Sequence, residues 1–485
     1  QSVGGEEKIV AAGSTYDGND YDFALARYNA EGTLDNTFGI DGIVTTKVSS
    51  NNNDEAISGV IQSDGKFIAA GHSNDEGDYK FALVRYTVNG FPEKTVTTQA
   101  GVSFSTAYSV EIQSDGKIIA AGSTYNGRSF AFALIRYNVD LSLDNSFGTD
   151  GIVTTEIGTI DDRLSSIVIQ EDGKIVAAGS TCRGHNDYDI ALVRYNLNGD
   201  LDTTFGEGGI VITQIDTAYD DAYSVAVQKN SGNLTGEKII IAGTACIAGQ
   251  FDFALVRYNL NGTLDSSFGA NGIVTTKLNS TSNSVARSIS IQSNGKLLAA
   301  GSTINAGYCD FAIVRYNYNG TLDNSFGTNG IVTTQIGPSF FSEIESVVIQ
   351  KDGKIIAAGY SIAGANTFFT LACYKGDEVT YAEDENPVIS PSSFTLAQNY
   401  PNPFNPTTTL SFVIGNRSFV LLKVYDVLGR EIATLLNEEK MPGKYKIKFN
   451  ANDLSSGIYF YRLQAVPVGR QAGEFIETKK MILLR

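Results

Sequence analysis

Histidine is the side chain best placed for acid–base work near neutral pH, and this chain has two, His72 and His185. They lie far apart, and His72 directly follows an Ala-Ala-Gly phrase whose other copies continue with Ser, Thr or Tyr. It therefore reads as a substituted strand-end residue. The sequence contains no His-Glu-x-x-His zinc motif, no Gly-x-Ser-x-Gly nucleophile elbow and no phosphate-cradling glycine loop ending in Lys-Ser/Thr. No catalytic, cofactor or metal set is assigned, and the chain reads as a non-enzyme. Acidic clusters recur at Asp17, Asp20 and Asp22, at Asp75, Glu76 and Asp78, and at Asp187 and Asp189. Calcium is the one cofactor such oxygen-rich loops suggest. However, Asp17-Gly18-Asn19-Asp20-Tyr21-Asp22 departs from the calcium-loop spacing, with Tyr21 and Asp22 where Asp/Asn and Gly belong. Solvated turn residues are the expectation.

A second pattern is an arginine followed by tyrosine, at Arg27, Arg85, Arg136, Arg194, Arg257 and Arg315, with Cys373 in the seventh place. Such a ring would bind anions if it lined a channel. A strand charge recurring so regularly needs a regular partner, and Asp35, Asp144, Asp202, Asp265 and Asp323 recur with it. Internal salt bridges are expected. Cys182, Cys246, Cys309 and Cys373 form no Cys-x-x-Cys pair, which argues against a zinc site. Free thiols are favoured, with a Cys246–Cys309 bridge as the alternative.

What must position these residues is set by composition. Of 485 residues, 42% are hydrophobic, 18% are charged and 50 are glycine. That is a globular, turn-rich chain suited to β-structure. The net charge of −17 argues against a nucleic-acid surface. No apolar run approaches the ~20 residues that span a bilayer. No signal peptide begins at Gln1, so a processed chain or one never carrying a leader is expected. Residues 394–485 hold 12 Lys/Arg against 7 Asp/Glu, a net +5, which leaves −22 for residues 1–393. Two units with different surfaces follow.

The first unit is repetitive. The phrase Lys-Ile-Ile-Ala-Ala-Gly, or a near copy, ends at Gly13, Gly71, Gly122, Gly179, Gly243, Gly301 and Gly359, in steps of 58, 51, 57, 64, 58 and 58. The sixth copy predicts four strands, over Ser288–Gln292, Lys296–Thr303, Asp310–Asn317 and Gly330–Thr334, with hairpin turns between. Four short antiparallel strands every ~50–60 residues are the signature of a propeller blade. Seven blades over residues 1–376 are predicted. Five complete copies and two of three strands give 26 strands, because Gln1-Ser2 matches the end of a first strand. Glu378–Tyr381 is a weak candidate for a missing one.

Asp172-Gly173-Lys174-Ile175, Ala191-Leu192-Val193-Arg194-Tyr195-Asn196 and Leu201-Asp202-Thr203-Thr204-Phe205-Gly206 resemble the delta-60 repeat family. The resemblance spans Gln1 to about Tyr374. It implies a propeller-like array in bacterial secreted proteins and no defined activity.

Residues 377–393 read as an acidic, proline-punctuated linker. Residues 394–485 then predict an antiparallel sandwich of immunoglobulin-like size with about six strands from Thr407 onward. This segment resembles the type A C-terminal sorting domain of the type IX secretion system. The resemblance rests on Asn399-Tyr400-Pro401-Asn402-Pro403-Phe404-Asn405-Pro406, on Val424-Tyr425-Asp426-Val427-Leu428-Gly429-Arg430, on Leu454-Ser455-Ser456-Gly457-Ile458-Tyr459 and on Lys479-Lys480-Met481. It implies export through that machinery, later removal of the tail by a sortase, and a secreted or cell-surface location. Val466 to Gly473 is longer than the pattern.

The whole chain thus reads as an all-β protein, a seven-bladed β-propeller followed by an immunoglobulin-like β-sandwich. The expected role is binding or structural, toward an unidentified surface or extracellular ligand. Two alternatives stand beside it, a secreted propeller enzyme acting on polysaccharide and a self-assembling surface or filament subunit. An enzyme should break the repeat symmetry with clustered carboxylates or His in one or two blades, and the loops look near-uniform.

Overall fold

The computed structural model describes the chain except residues 4–5, 51, 76, 159, 185–186, 217–218, 230–235, 279–282, 306, 338, 377–393, 400, 415–417, 441–442, 453, 468–474 and 485. His185, Glu76, Tyr400 and the Glu378–Tyr381 segment therefore lie outside the described residues. All regular structure among the described residues is strand, and none is a helix able to cross a membrane. The chain divides into two compact units, Gln1–Ala382 and Glu383–Arg485.

The first unit is a propeller of seven blades. Blade 4 is representative, with strands Asp161–Ile169, Ile175–Gly184, Asp187–Tyr195 and Ile210–Thr213 paired antiparallel in that order. Blades 2 to 6 each have four strands. Blade 1 lacks the first (Ile9–Tyr16, Tyr21–Tyr28, Ile43–Thr46) and blade 7 lacks the fourth (Phe341–Ile349, Ile355–Ala363, Asn366–Tyr374). The second and third strands of each complete blade are buried on both faces, so they read as unbroken apolar runs rather than alternating ones.

The repeated glycine has a steric cause. Each first strand bulges, as between Leu164 and Ser166, and this drives a carbonyl onto the neighbouring strand. A Cβ on Gly179 would stand 1.9 Å from the Arg163 carbonyl oxygen, and Gly71, Gly122, Gly243, Gly301 and Gly359 meet the same obstacle. Gly13, in the blade without a first strand, instead faces the Phe369 ring of blade 7 at 2.5 Å. That contact brings the last blade against the first. The bulge also explains why period-two reading missed the start of the sixth copy's first strand, which runs Ser284–Ile291.

Gln1 completes part of what blade 1 lacks. Gln228, at the end of blade 5's first strand, accepts from Arg257 at 2.9 Å and donates to the Gly295 carbonyl at 2.9 Å. Gln1 makes the equivalent pair of bonds, accepting from Arg27 at 2.9 Å and donating to the Gly65 carbonyl at 2.7 Å.

The second unit is built from a three-stranded sheet (Thr395–Leu396, Thr407–Ile414, Gly443–Asn450) and a four-stranded one (Glu431–Lys440, Ser418–Tyr425, Gly457–Pro467, Phe475–Leu483). Alternate residues of both sheets, including Leu410, Phe412, Val420, Leu422, Leu463 and Met481, share one core. The result is a β-sandwich.

Candidate functional site

Antiparallel pairing puts the turns between second and third strands, and the entries to first strands, on one face of the propeller. The first strands of successive blades pack against one another around the axis. One serine per blade joins them. The Val110, Ile167, Val225, Ile289 and Val347 N–H groups donate to Ser58, Ser109, Ser166, Ser224 and Ser288 of the preceding blade at 3.0–3.3 Å. This ladder was readable from the repeats, because a serine sits at that place in all six first strands, but no chemical motif marks it.

The recurrent arginines lie elsewhere, at the end of each third strand. Arg27, Arg136, Arg257 and Arg315 each place Nε 2.7–2.9 Å from Asp35, Asp144, Asp265 and Asp323, and Arg194 Nε donates to Asp202 at 2.8 Å. Each of the five guanidinium groups also covers a phenylalanine, Phe38, Phe147, Phe268, Phe326 and Phe205, at 4.5–4.6 Å. Arg85 differs, pairing with Glu93 at 3.0 Å because the shortened second repeat has no equivalent aspartate. Arg27, Arg85, Arg136, Arg194 and Arg257 also donate to a carbonyl of the next blade, at Val88, Val139, Leu197, Leu260 and Tyr318. The neighbouring tyrosines bond backwards, as Tyr195 does to Thr155 of blade 3 at 2.8 Å. These groups are engaged in holding blades together, and the five aspartate-paired arginines are buried.

The acidic loops correct the expectation of solvated turns only in part, and Asp78 is exposed as expected. Asp17 is exposed, but Asp20, Asp22 and Asp189 are buried. His72 is half-buried with its ring edge-on to Tyr79 at 4.9 Å, and burial pushes its pKa down despite Glu55 and Asp54 nearby. The four cysteines are free thiols.

Symmetry also breaks on the channel-lining strands. At the bulged position the blades carry Ile57, Tyr108, Ser165, Tyr223, Arg287 and Glu345 in turn, and two residues earlier Glu55, Thr106, Arg163, Asp221, Val285 and Glu343. Blades 5 to 7 thereby assemble one cluster. Arg287 stacks on the Tyr223 ring at 4.4 Å and its Nε donates to Glu343 at 3.0 Å. Glu343 also accepts from Ser302 at 3.1 Å and from the Tyr360 hydroxyl at 3.3 Å. Tyr223 donates to Asp221 at 3.3 Å. Burial, then the neighbouring Asp221 carboxylate, raises the Tyr223 phenol above its ordinary value, so it stays protonated. Burial also raises Glu345, which Arg287 only partly offsets. In blade 4, Arg163 bonds Asp161 at 2.8 Å and covers Tyr188 at 5.1 Å, and Tyr188 donates to Asp161 at 2.7 Å.

Most exposed aromatic rings lie at this end of the blades, with Phe91 on the opposite face. Tyr16, Tyr21, Phe104, Tyr108, Tyr308, Phe340 and Phe368 are all on this face. The opposite face exposes mainly aliphatic groups, such as Leu34, Ile40, Val139, Leu197 and Leu260.

In the sandwich the sorting motif winds onto the last strand. Asn399 is buried and donates to Thr408 at 2.9 Å and to the Pro401 carbonyl at 3.0 Å, while its N–H reaches the Tyr461 hydroxyl at 2.7 Å. Asn402 accepts from the Ile482 N–H at 2.9 Å, and the Asn402–Pro403 bond is cis. Phe404 is buried, and its N–H and carbonyl both bond the last strand, at Ile482 and Leu484, at 3.0 Å. Pro406 accepts from Ala451 at 2.9 Å, and Asn405 stays exposed. Met481 is core, Lys480 is exposed, and Lys479 pairs with Glu477 at 2.9 Å. Tyr425 lies under Arg462 at 5.2 Å, Tyr459 donates to the Ser455 carbonyl at 2.8 Å, and Gly457 is an exposed strand start opposite Leu483. Asp426 accepts the Leu428 and Arg430 N–H groups, and Gly429 takes φ +77°. That turn leaves Val427 63% and Leu428 74% exposed.

Fold and tail together define an exported β-propeller with a C-terminal transport address. The chain carries seven repeats matching the domain of unknown function (DUF5122) beta-propeller family, at residues 8–38, 62–95, 113–147, 170–205, 238–268, 292–326 and 350–377. Residues 398–472 match the secretion system C-terminal sorting domain. This is the tail used by the type IX system, so the protein is exported, to be surface-attached or released. No curated protein matches the chain. Similar solved structures include a PL25 polysaccharide lyase, an ulvan lyase, bound to -[GlcA(1-4)Rha3S]- (14% identity, 77% of this chain and 91% of that one, TM-score 0.44) and Drosophila Semaphorin 1b, extracellular domains 1–2 (9%, 73% and 86%, 0.37). At those scores neither likeness bears on activity.

Proposed function

We propose that this exported propeller is a non-catalytic binder of extracellular carbohydrate, taking its ligand on the aromatic face at the channel mouth. The observation that carries this is the set of exposed Tyr and Phe rings on the face where the first strands begin, the strands that also carry the Tyr223–Arg287–Glu343 cluster. A pyranose presents an apolar C–H face and a hydroxyl rim. Rings stack on the first, and guanidinium and carboxylate groups bond the second. The same cluster argues against turnover. Glu343 is saturated by Arg287, Ser302 and Tyr360, and a phenol that stays protonated at Tyr223 is no general base. The polysaccharide-enzyme and filament readings have no comparable observation behind them. Removal of the tail by a sortase, with the type IX machinery as its partner, remains part of this reading.

Affinity electrophoresis of the tail-less propeller against soluble polysaccharides tests it. Retardation by at least one polysaccharide, lost in Tyr223→Ala and Arg287→Ala, is expected. Release of reducing ends or unsaturated products by the wild type would overturn the non-catalytic reading.

A further inference from the structure

The turn joining the second and third strands of blade 1 holds three carboxylates whose oxygens lie within 4.8 Å of one another, those of Asp17, Asp20 and Asp22. Asp20 is 5% exposed and Asp22 7% exposed, and Asp22 Oδ1 has no hydrogen-bond partner. One cation balances them. The Lys47 ammonium lies 3.0 Å from Asp20 Oδ1 and 3.9 Å from Asp17 Oδ2, which leaves two negative charges over. Buried carboxylates are tolerated when paired or when they coordinate a metal.

The repeats supply internal controls. Blade 3 makes the same turn with Asn126 accepting the Arg128 and Ser129 N–H groups, as Asp17 accepts those of Asn19 and Asp20. There Ser129 and Ala131 stand where blade 1 has Asp20 and Asp22, and Glu156 stands at the place of Lys47. The turn therefore does not require acids. Blade 5 keeps one, Asp252, whose Oδ1 is likewise without a hydrogen-bond partner, but a single carboxylate there faces a single ammonium, Lys277, which bonds Gln250 at 2.7 Å. Among the described residues, only the blade 1 turn brings three carboxylates within reach of one another.

We propose that Asp17, Asp20 and Asp22 form a divalent-cation site of calcium size, with the half-exposed Lys47 swinging out to solvent when the ion enters. Calcium suits a flexible loop offering hard oxygens, with water completing its six to eight ligands, whereas magnesium demands a tighter octahedron. The site is independent of the carbohydrate reading, which needs no metal.

Tyr16 and Tyr21 bracket the turn, with ring centroids 5.3 Å apart, and both can sensitise terbium. Titrating the full chain with terbium chloride should give tyrosine-sensitised emission that calcium chloride displaces and magnesium chloride displaces far less. Asp17→Asn and Asp22→Asn should lose the signal at least tenfold in affinity, while Asp252→Asn leaves it unchanged. Lys47→Gln should bind several-fold more tightly. No calcium-competed signal in either the wild type or Lys47→Gln would overturn the site, as would full signal in folded Asp17→Asn. Because Asp17 is exposed, that variant keeps the test valid if Asp22→Asn fails to fold.

Discussion

Arg194 and Asp202 sit together out of water, so each depends on the other. Removing the guanidinium strands a carboxylate whose remaining partners are Thr204 and Lys174. Arg194→Ala should therefore cost about 3–5 kcal/mol, read as a lowered urea midpoint, and an unchanged midpoint would reopen an anion-binding role. Asp202 titrates well below the usual carboxylate range. Burial opposes its ionisation, but the Thr204 hydroxyl and N–H, the Lys174 ammonium and the Arg194 guanidinium outweigh it. A depressed carboxylate adds stability that is complete above its unfolded pKa, near ~4, and is lost as pH falls through the folded value. The Arg194→Ala penalty should accordingly shrink below about pH 4. Glu111, on the first strand of blade 3, has the opposite sign. Burial pushes it up to about 7, opposed only by the Ile112 N–H, where other blades carry Val60, Val168, Ala226, Ser290 and Val348. Its charge penalises folding above that value and not below the unfolded pKa. Glu111→Gln should raise the melting temperature at pH 8 and leave it unchanged at pH 4, and equal shifts at both would refute this.

Blades 2 to 7 each depend on a first strand pressed so close to the second that a methyl group cannot enter. Gly179→Ala should cost about 3 kcal/mol, because the obstacle is a backbone carbonyl in a bulge and cannot rotate away. Gly13→Ala should cost clearly less, since the Phe369 ring can move aside, and equal losses in thermal unfolding would disprove the bulge account. These glycines, and the Arg–Tyr dipeptide, were legible because repetition separates a structural requirement from accident. The seven blades, and the deficit of one strand at each end, came from the same spacing. The channel-mouth cluster was not legible. Tyr223, Arg287 and Glu343 come from three repeats and share no local motif, and the bulge that turns them inward also breaks the alternation that would reveal the strand. The loops, where symmetry breaking was sought, hold turn residues apart from the blade 1 carboxylates. Whether Asp20 and Asp22 are buried depends on packing against blade 2, through Asn53 bonding Tyr21 at 3.1 Å, which blade 1 alone does not encode.

At the scale of the molecule, the sorting sandwich is a separate unit with its own core and a charge opposite to that of the propeller. Its motifs fall into two physical classes. Asn399, Phe404 and Met481 are spent on the fold, since they bury themselves to fix the Asn-Pro segment onto the last strand. Val427 and Leu428 serve no packing purpose, because the Asp426 turn holds both out in water. Exposed apolar groups on a rigid hairpin tip are what a transport receptor can grip. Deleting residues 394–485 should leave a folded propeller stranded in the periplasm, and fusing them to a periplasmic reporter should bring it to the surface or medium. The double change Val427→Ser with Leu428→Ser separates address from fold. It should leave the unfolding free energy of the isolated tail within about 0.5 kcal/mol of wild type while cutting reporter export severalfold. Asn399→Ala should lower stability and export together, because it removes the side chain that donates to both the Thr408 hydroxyl and the Pro401 carbonyl and leaves only the bond between those two to hold the segment. If the Val427/Leu428 double variant were exported as well as the wild-type tail, the tip would not be the recognised feature, and the exposed lysine face around Lys480 would take its place.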